Sequence, residues 1–114
     1  MSEILDELKA AGNDVDGALA RFMGKESMYL KFLGKLSADD TYNQLLAALE
    51  AGDATAGFAA SHTLKGLFGN LGLTKLIDAN TPIVETMRAG NLPDPADVEA
   101  LKAEYAATLA ILNK

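Results

Sequence analysis

The sequence predicts an all-α fold, an antiparallel four-helix bundle with short N-terminal helices packed across it. Apolar residues recur at spacings of three and four through Ala- and Leu-rich segments, as they do on one face of a helix. No segment alternates polar and apolar residues over a β-branched run, so strands are not indicated. Turns of a few residues separate the long segments, which is typical of antiparallel neighbours.

The size and charge of the chain limit its class. Its 114 residues fit a single domain spanning 1–114, and 49% hydrophobic with 23% charged residues is an ordinary globular composition. A net charge of −6 has the wrong sign for binding nucleic acid. No apolar run reaches the roughly 18 residues of a membrane span, and the acidic start does not resemble a secretion signal. We therefore expect a cytoplasmic, free-standing monomer.

Several chemistries lack the residues they require. With no cysteine and one histidine, the chain can form neither a disulfide nor a thiolate or paired-histidine metal site. A carboxylate di-metal site is disfavoured because no Glu-x-x-His pair occurs. The glycine-rich stretch 66–72 lacks the preceding strand of a phosphate-binding loop. We expect neither a metal nor a cofactor on this chain.

Two short helices are predicted at the N-terminus. Ser2 begins the first, which ends at 11–13 where Gly12 suits a left-handed helix end. Asp14 caps the second, which ends at Gly24 and is expected to cover the bundle as a lid. The apolar face of this second helix comprises Val15, Leu19, Phe22 and Met23.

One long helix is predicted from Glu26 to Ala51, where Gly52 follows. The segment 37–40 interrupts its pattern with a possible new cap, so a bend is expected there. The residues that keep a helical phase are Met28, Phe32, Leu36, Tyr42, Leu46 and Leu49.

Three further helices complete the prediction. Asp53 caps one that runs to about Leu71, and another covers about 74–89, with a kink expected at Pro82. Asp94 followed by proline begins the last helix. Its apolar stripe consists of Val98, Leu101, Tyr105, Leu109 and Leu112.

The single histidine, His62, is predicted to point outward from its helix. At about 100° per residue, its side of the helix includes Thr55, Phe58, Lys65, Gly66 and Gly69. The opposite side, expected to face the core, carries Ala60, Leu64, Leu67 and Leu71, with Gly57 and Phe68 at its edge. Each mid-helix glycine costs about 0.5–1 kcal/mol relative to alanine. Close approach of another protein to the imidazole would explain why glycine occupies positions 66 and 69.

A solitary surface histidine is usually a solvated residue without a role, but these neighbours favour a function. A neutral imidazole is a competent nitrogen nucleophile toward a phosphoryl group. Lys65, one turn away, can offer a charge to phosphoryl oxygens. Phe58 has two interpretations, a docking contact for a partner or an aromatic covered by the second short helix.

These residues resemble a known family signature. HTLKG at 62–66, followed by NLG at 70–72, resembles the His-x-Leu-Lys-Gly motif of histidine phosphotransfer (HPt) domains. The segments 13–22, 29–33 and 48–53 are also similar to that family, so the resemblance covers about 13–112. Leu67 and Phe68 depart from it, since the family often has small residues there.

The resemblance implies a phosphorelay intermediate without kinase activity of its own. His62 would accept a phosphoryl group from one aspartate and pass it to another, with Lys65 stabilising its charge. The partners would be the receiver domains of a hybrid sensor histidine kinase and of a response regulator, and Mg²⁺ would sit on the receiver. The residues expected to dock the receiver are Thr55, Phe58, Ala59, Gly66 and Gly69. The alternative is a non-catalytic four-helix adaptor that binds receivers or other signalling proteins.

Overall fold

The computed structural model describes residues 2–114 and confirms the all-helical fold. Within these residues no helix is long and apolar enough to cross a membrane. The elements in chain order are α1 (Glu3–Ala10), α2 (Val15–Arg21), α3 (Glu26–Gly34), a 3-10 helix (Lys35–Ala38), α4 (Thr41–Glu50), α5 (Ala54–Asn70), α6 (Thr74–Arg88) and α7 (Pro95–Leu112).

The predicted capping residues begin the helices. The side chain of Asp53 accepts a hydrogen bond from the Ala56 amide at 3.0 Å, which satisfies one of the free N–H groups of the first turn of α5. Ser2, Asp14 and Asp94 cap α1, α2 and α7 in the same way. These four N-termini therefore lie where the local sequence predicts them.

The helix that carries His62, α5, packs against α4 and α6, and α6 packs in turn against α7. Gly57 allows close packing, because a Cβ atom there would lie 2.5 Å from Sδ of Met87 on α6. Asn80 on α6 is also buried, and its Nδ2 donates to the Ser61 carbonyl of α5 at 2.9 Å. These contacts fix the backbone of α5 beside His62.

The prediction of one helix from Glu26 to Ala51 is wrong. The chain leaves α3 through the 3-10 helix, and Asp39 then takes an extended conformation with ψ 128°. The Asp39 carboxylate accepts a hydrogen bond from the Thr41 amide at 2.8 Å, which favours a new start at α4. Leu36 stays buried in the short 3-10 helix, so the break costs little apolar burial.

The prediction of which face of α3 is apolar is also wrong. The break after α3 separates its helical phase from that of α4, so the two helices do not share one apolar stripe. Met28 and Phe32 are exposed, whereas Tyr29 and Leu33 are buried. The Tyr29 hydroxyl donates to the Leu71 carbonyl at 2.7 Å, so this contact joins α3 to the end of α5. Met23 likewise lies outside the core, because α2 ends at Arg21 and leaves its side chain 81% exposed.

The last two helices lie where the sequence predicts them in the chain. α6 continues through Pro82, whose carbonyl accepts a hydrogen bond from the Thr86 hydroxyl at 2.7 Å. In α7, Leu101 and Tyr105 are buried. The other three residues of the predicted stripe, Val98, Leu109 and Leu112, are half-buried.

Tyr29→Phe is expected to lower the free energy of unfolding by about 1–2 kcal/mol, because the buried Leu71 carbonyl loses its donor. Burial raises the pKa of Tyr29 to about 12. An unfolded tyrosine ionises near pH 10, so the parental protein should lose stability as the pH rises from about 10 toward 12. Urea unfolding at about pH 8 and pH 11 measures both effects. An alkaline decline of equal size in the variant would contradict the assignment to Tyr29.

Candidate functional site

His62 lies in the middle of α5 with its side chain exposed, as the helical spacing predicted. Ser61, one position before His62, and Leu64, two positions after it, are buried. Gly57 and Phe68, predicted at the edge of the core face, are buried as well, and Leu67 is half-buried. The helix is therefore anchored along one side while the imidazole stays accessible from the other.

Phe58 packs beside the histidine rather than beneath the second short helix. Its ring stacks on His62 with centroids 5.5 Å apart and an angle of 25° between the planes. The guanidinium carbon of Arg88, on α6, lies 5.0 Å from the centroid of Phe58. The interpretation of Phe58 as covered by α2 is wrong, because both ends of α2 bond to the C-terminal end of α5, through Asp14 to Gly72 and through Arg21 to Gly69. This stack restricts the tilt of the imidazole.

An open depression of about 510 Å³ surrounds the exposed side of the histidine. It is lined by Arg21, His62, Lys65, Gly66, Gly69 and Asn70. A Cβ atom built at Gly66 or at Gly69 would meet nothing within 4 Å. Both glycines thus face free space beside the imidazole, as the sequence predicted.

Three of the predicted docking residues, Thr55, Phe58 and Ala59, lie outside this depression. Thr55 and Ala59 are exposed on α5, N-terminal to His62, and neither lines the depression. Thr55 lies seven positions before His62, which is about 10 Å along the helix axis. A partner that touches both residues must extend beyond the depression along α5.

Arg21 belongs to the site although helical spacing gave it no role. It is the last residue of α2 and reaches the C-terminal end of α5, where Nη2 donates to the Gly69 carbonyl at 2.8 Å. Arg21 is far from His62 in the chain, so no local periodicity could pair the two. The sequence signal that could have pointed to Arg21 is its position in the segment 13–22, which is similar to the HPt family.

The charges at the site favour an anion. Arg21 and Lys65 line the depression, and no carboxylate of residues 2–114 does so. Arg88, on the side of Phe58, is paired with the Glu85 carboxylate at 3.1 Å. This local positive charge contrasts with the net charge of −6 of the whole chain. Among residues 2–114 no cluster of three or more metal-ligating side chains occurs.

The fold and site define a helical domain that presents one accessible histidine beside cationic groups. The family model described as Hpt domain matches residues 35–111, and the chain belongs to this family. Members of this family act in histidine phosphotransfer in two-component systems, as intermediates rather than kinases, and interact with receiver domains. Comparisons with curated proteins and with solved structures found no match.

Proposed function

We propose that this chain relays a phosphoryl group between the aspartates of two receiver domains through His62. The observation that carries the proposal is the exposed imidazole in an open depression that, among the residues the structure describes, is lined by two cations and by no carboxylate. A phosphoryl group bound to the imidazole would carry negative charge into this environment, where cations favour it. The accessible helix face leaves room for a second protein.

In the proposed transfer, the lone pair of a ring nitrogen of His62 forms a bond to phosphorus. The bond between phosphorus and the aspartate oxygen of the receiver breaks, and its electron pair stays on the leaving carboxylate. The return step reverses these events on the second receiver. Stacking on Phe58 would hold the ring during both steps, and Lys65 would stabilise charge on the phosphoryl oxygens.

The remaining catalytic groups would belong to the partners. We propose that each receiver supplies the carboxylates and the Mg²⁺, so this chain needs no cofactor and has no kinase activity of its own. One receiver would belong to a hybrid sensor histidine kinase and the other to a response regulator. We place the relay in the cytoplasm, with a monomeric chain whose helices α4 to α7 form an antiparallel bundle.

The receivers would dock over the depression and along α5. Gly66 and Gly69 leave free space beside His62 where a side chain would stand, and Thr55 and Ala59 extend the exposed face toward the start of the helix. Phe58 is half-buried, so its exposed part can contact the partner. The exposed face would thereby set the distance between the receiver aspartate and the imidazole.

Incubation with a receiver phosphorylated on its aspartate tests the proposal. The expected result is the appearance of acid-labile radiolabel on this chain and a matching loss from the receiver. A second, unphosphorylated receiver should then take up the label. If receivers bind but label never reaches this chain, the protein is a non-catalytic adaptor.

Lys65→Ala is expected to slow transfer by roughly ten- to a hundredfold, or about 1.4–2.7 kcal/mol of barrier. The Lys65 side chain is exposed, so water screens its charge, and the partner is expected to supply further positive charge. Lys102→Ala is the control, because this exposed lysine of α7 lies outside the depression. The measurement is the rate of phosphoryl transfer in both directions with the same receiver. Equal rates for Lys65→Ala and Lys102→Ala would remove Lys65 from the site.

A further inference from the structure

The helix that carries His62 ends in a turn with a weak helical tendency. Gly66 and Gly69 fall within its last five residues, and glycine is among the poorest helix formers. Asn70, the last residue, is also a poor one. Yet this turn forms part of the depression beside the imidazole. Contacts from elsewhere in the chain must therefore help to keep it helical.

Arg21 supplies two of these contacts. Its Nη2 donates to the Gly69 carbonyl at 2.8 Å, and its Nε donates to the Asn70 carbonyl at 3.3 Å. These carbonyls belong to the C-terminal end of α5, where the helix dipole places partial negative charge. A guanidinium suits this position because its charge and its fork of donors both match the helix end.

The next two carbonyls of the chain also accept hydrogen bonds from the N-terminal segment. The Tyr29 hydroxyl donates to Leu71, and the Asp14 amide donates to Gly72 at 2.9 Å. Gly72 has φ +68°, and a Cβ atom there would lie 2.4 Å from the Asp14 carbonyl oxygen. Four consecutive carbonyls, 69–72, are thus held by donors from α2, α3 and the residue before α2.

These donors lie outside the part of the chain that the Hpt domain family model matches, which begins at residue 35. We propose that Arg21 is a positioning residue for phosphotransfer, which keeps the last turn of α5 helical and thereby holds the depression around His62 in shape. The inference rests on the proposed function, since it assigns Arg21 to the same site. The N-terminal helices then contribute to that site by holding the end of α5 in place.

Arg21→Met tests the proposal, because methionine keeps an apolar stem and removes the donors. Amide hydrogen exchange of the parental protein and the variant is compared in the absence of a receiver. The amides of Leu71 and Leu73, which bond within the helix end, should exchange about tenfold faster, as expected for the loss of one modest hydrogen bond. The Gly57 amide in the first turns of α5 serves as the internal reference.

Transfer is then measured as a function of receiver concentration. The saturated rate of Arg21→Met should fall about tenfold, less than the roughly hundredfold cost of a 1 Å misplacement. Adding Gly69→Ala should restore part of both the exchange protection and the rate, since alanine strengthens the helix and meets free space at this position. Gly69→Ala alone provides the reference for that comparison.

Arg21→Lys separates position from charge, because lysine keeps the charge but cannot make the paired contact to the two carbonyls. A loss of transfer in Arg21→Lys, with faster exchange at Leu71, supports the proposal. Parental exchange in Arg21→Met overturns it, and so does parental transfer in Arg21→Lys, which would assign a role to charge alone. If the parental chain accepts no phosphate, the proposed function fails, while the exchange results still decide whether Arg21 holds the turn.

Discussion

His62→Gln is expected to abolish acid-labile phosphorylation completely while the protein stays folded. The chain contains one histidine, so no other imidazole can accept the phosphoryl group. The exposed side chain packs on Phe58 alone among the aromatic residues of 2–114, and such stacking contributes about 0.5–1.5 kcal/mol. Glutamine has no nucleophilic ring nitrogen. The measurements are label uptake from a phosphorylated receiver and a thermal melt.

Thr63→Ala is the matched control for this experiment. Thr63 is the next residue on α5, and its hydroxyl bonds to the Ala59 carbonyl of its own helix at 3.0 Å. This variant should take up label at the parental rate. Loss of label in both variants would show a general disturbance of α5 rather than the loss of the imidazole. Persistent acid-labile label on His62→Gln would mean that another residue accepts the phosphoryl group.

Gly66→Leu is expected to fold normally and to transfer phosphate about a hundredfold more slowly, since a displacement near 1 Å can carry this cost. Gly66 meets no atom within 4 Å of a Cβ position, so the added side chain should not disturb the core. The leucine would stand in the depression beside His62 and hold the receiver aspartate away. Gly69→Leu should have a weaker effect of the same kind, since Gly69 lies farther from His62 along α5.

Gly34→Leu is the control, because Gly34 ends α3 and also has nothing within 4 Å of a Cβ position. Both variants should melt at or above the parental temperature, since leucine favours a helix over glycine by up to about 1 kcal/mol. The transfer rate should fall in Gly66→Leu alone. Unfolding of Gly66→Leu would show that Gly66 packs against a neighbour, and a parental rate would show that transfer does not need the open approach.

Much of the candidate site could be predicted from local spacing. His62, Lys65, Gly66 and Gly69 share one face of α5 because a helix repeats every 3.6 residues, whatever it packs against. Arg21 and Arg88 could not be placed in this way. They come from α2 and α6, and only the packing of these helices against α5 brings their guanidinium groups to the site.

The sequence by itself determined the helical class, most helix starts and the accessible histidine. Capping side chains such as Asp53 act on amides two or three residues away, so short segments carry the whole signal. The Asp39–Thr41 bond that favours a new helix start after α3 is local as well. The tertiary structure decided which face α3 buries. Tyr29 turns inward because its hydroxyl bonds to Leu71, and Arg21 joins the site because it meets the end of α5. Such contacts join residues far apart in the chain, so a local sequence pattern cannot predict them.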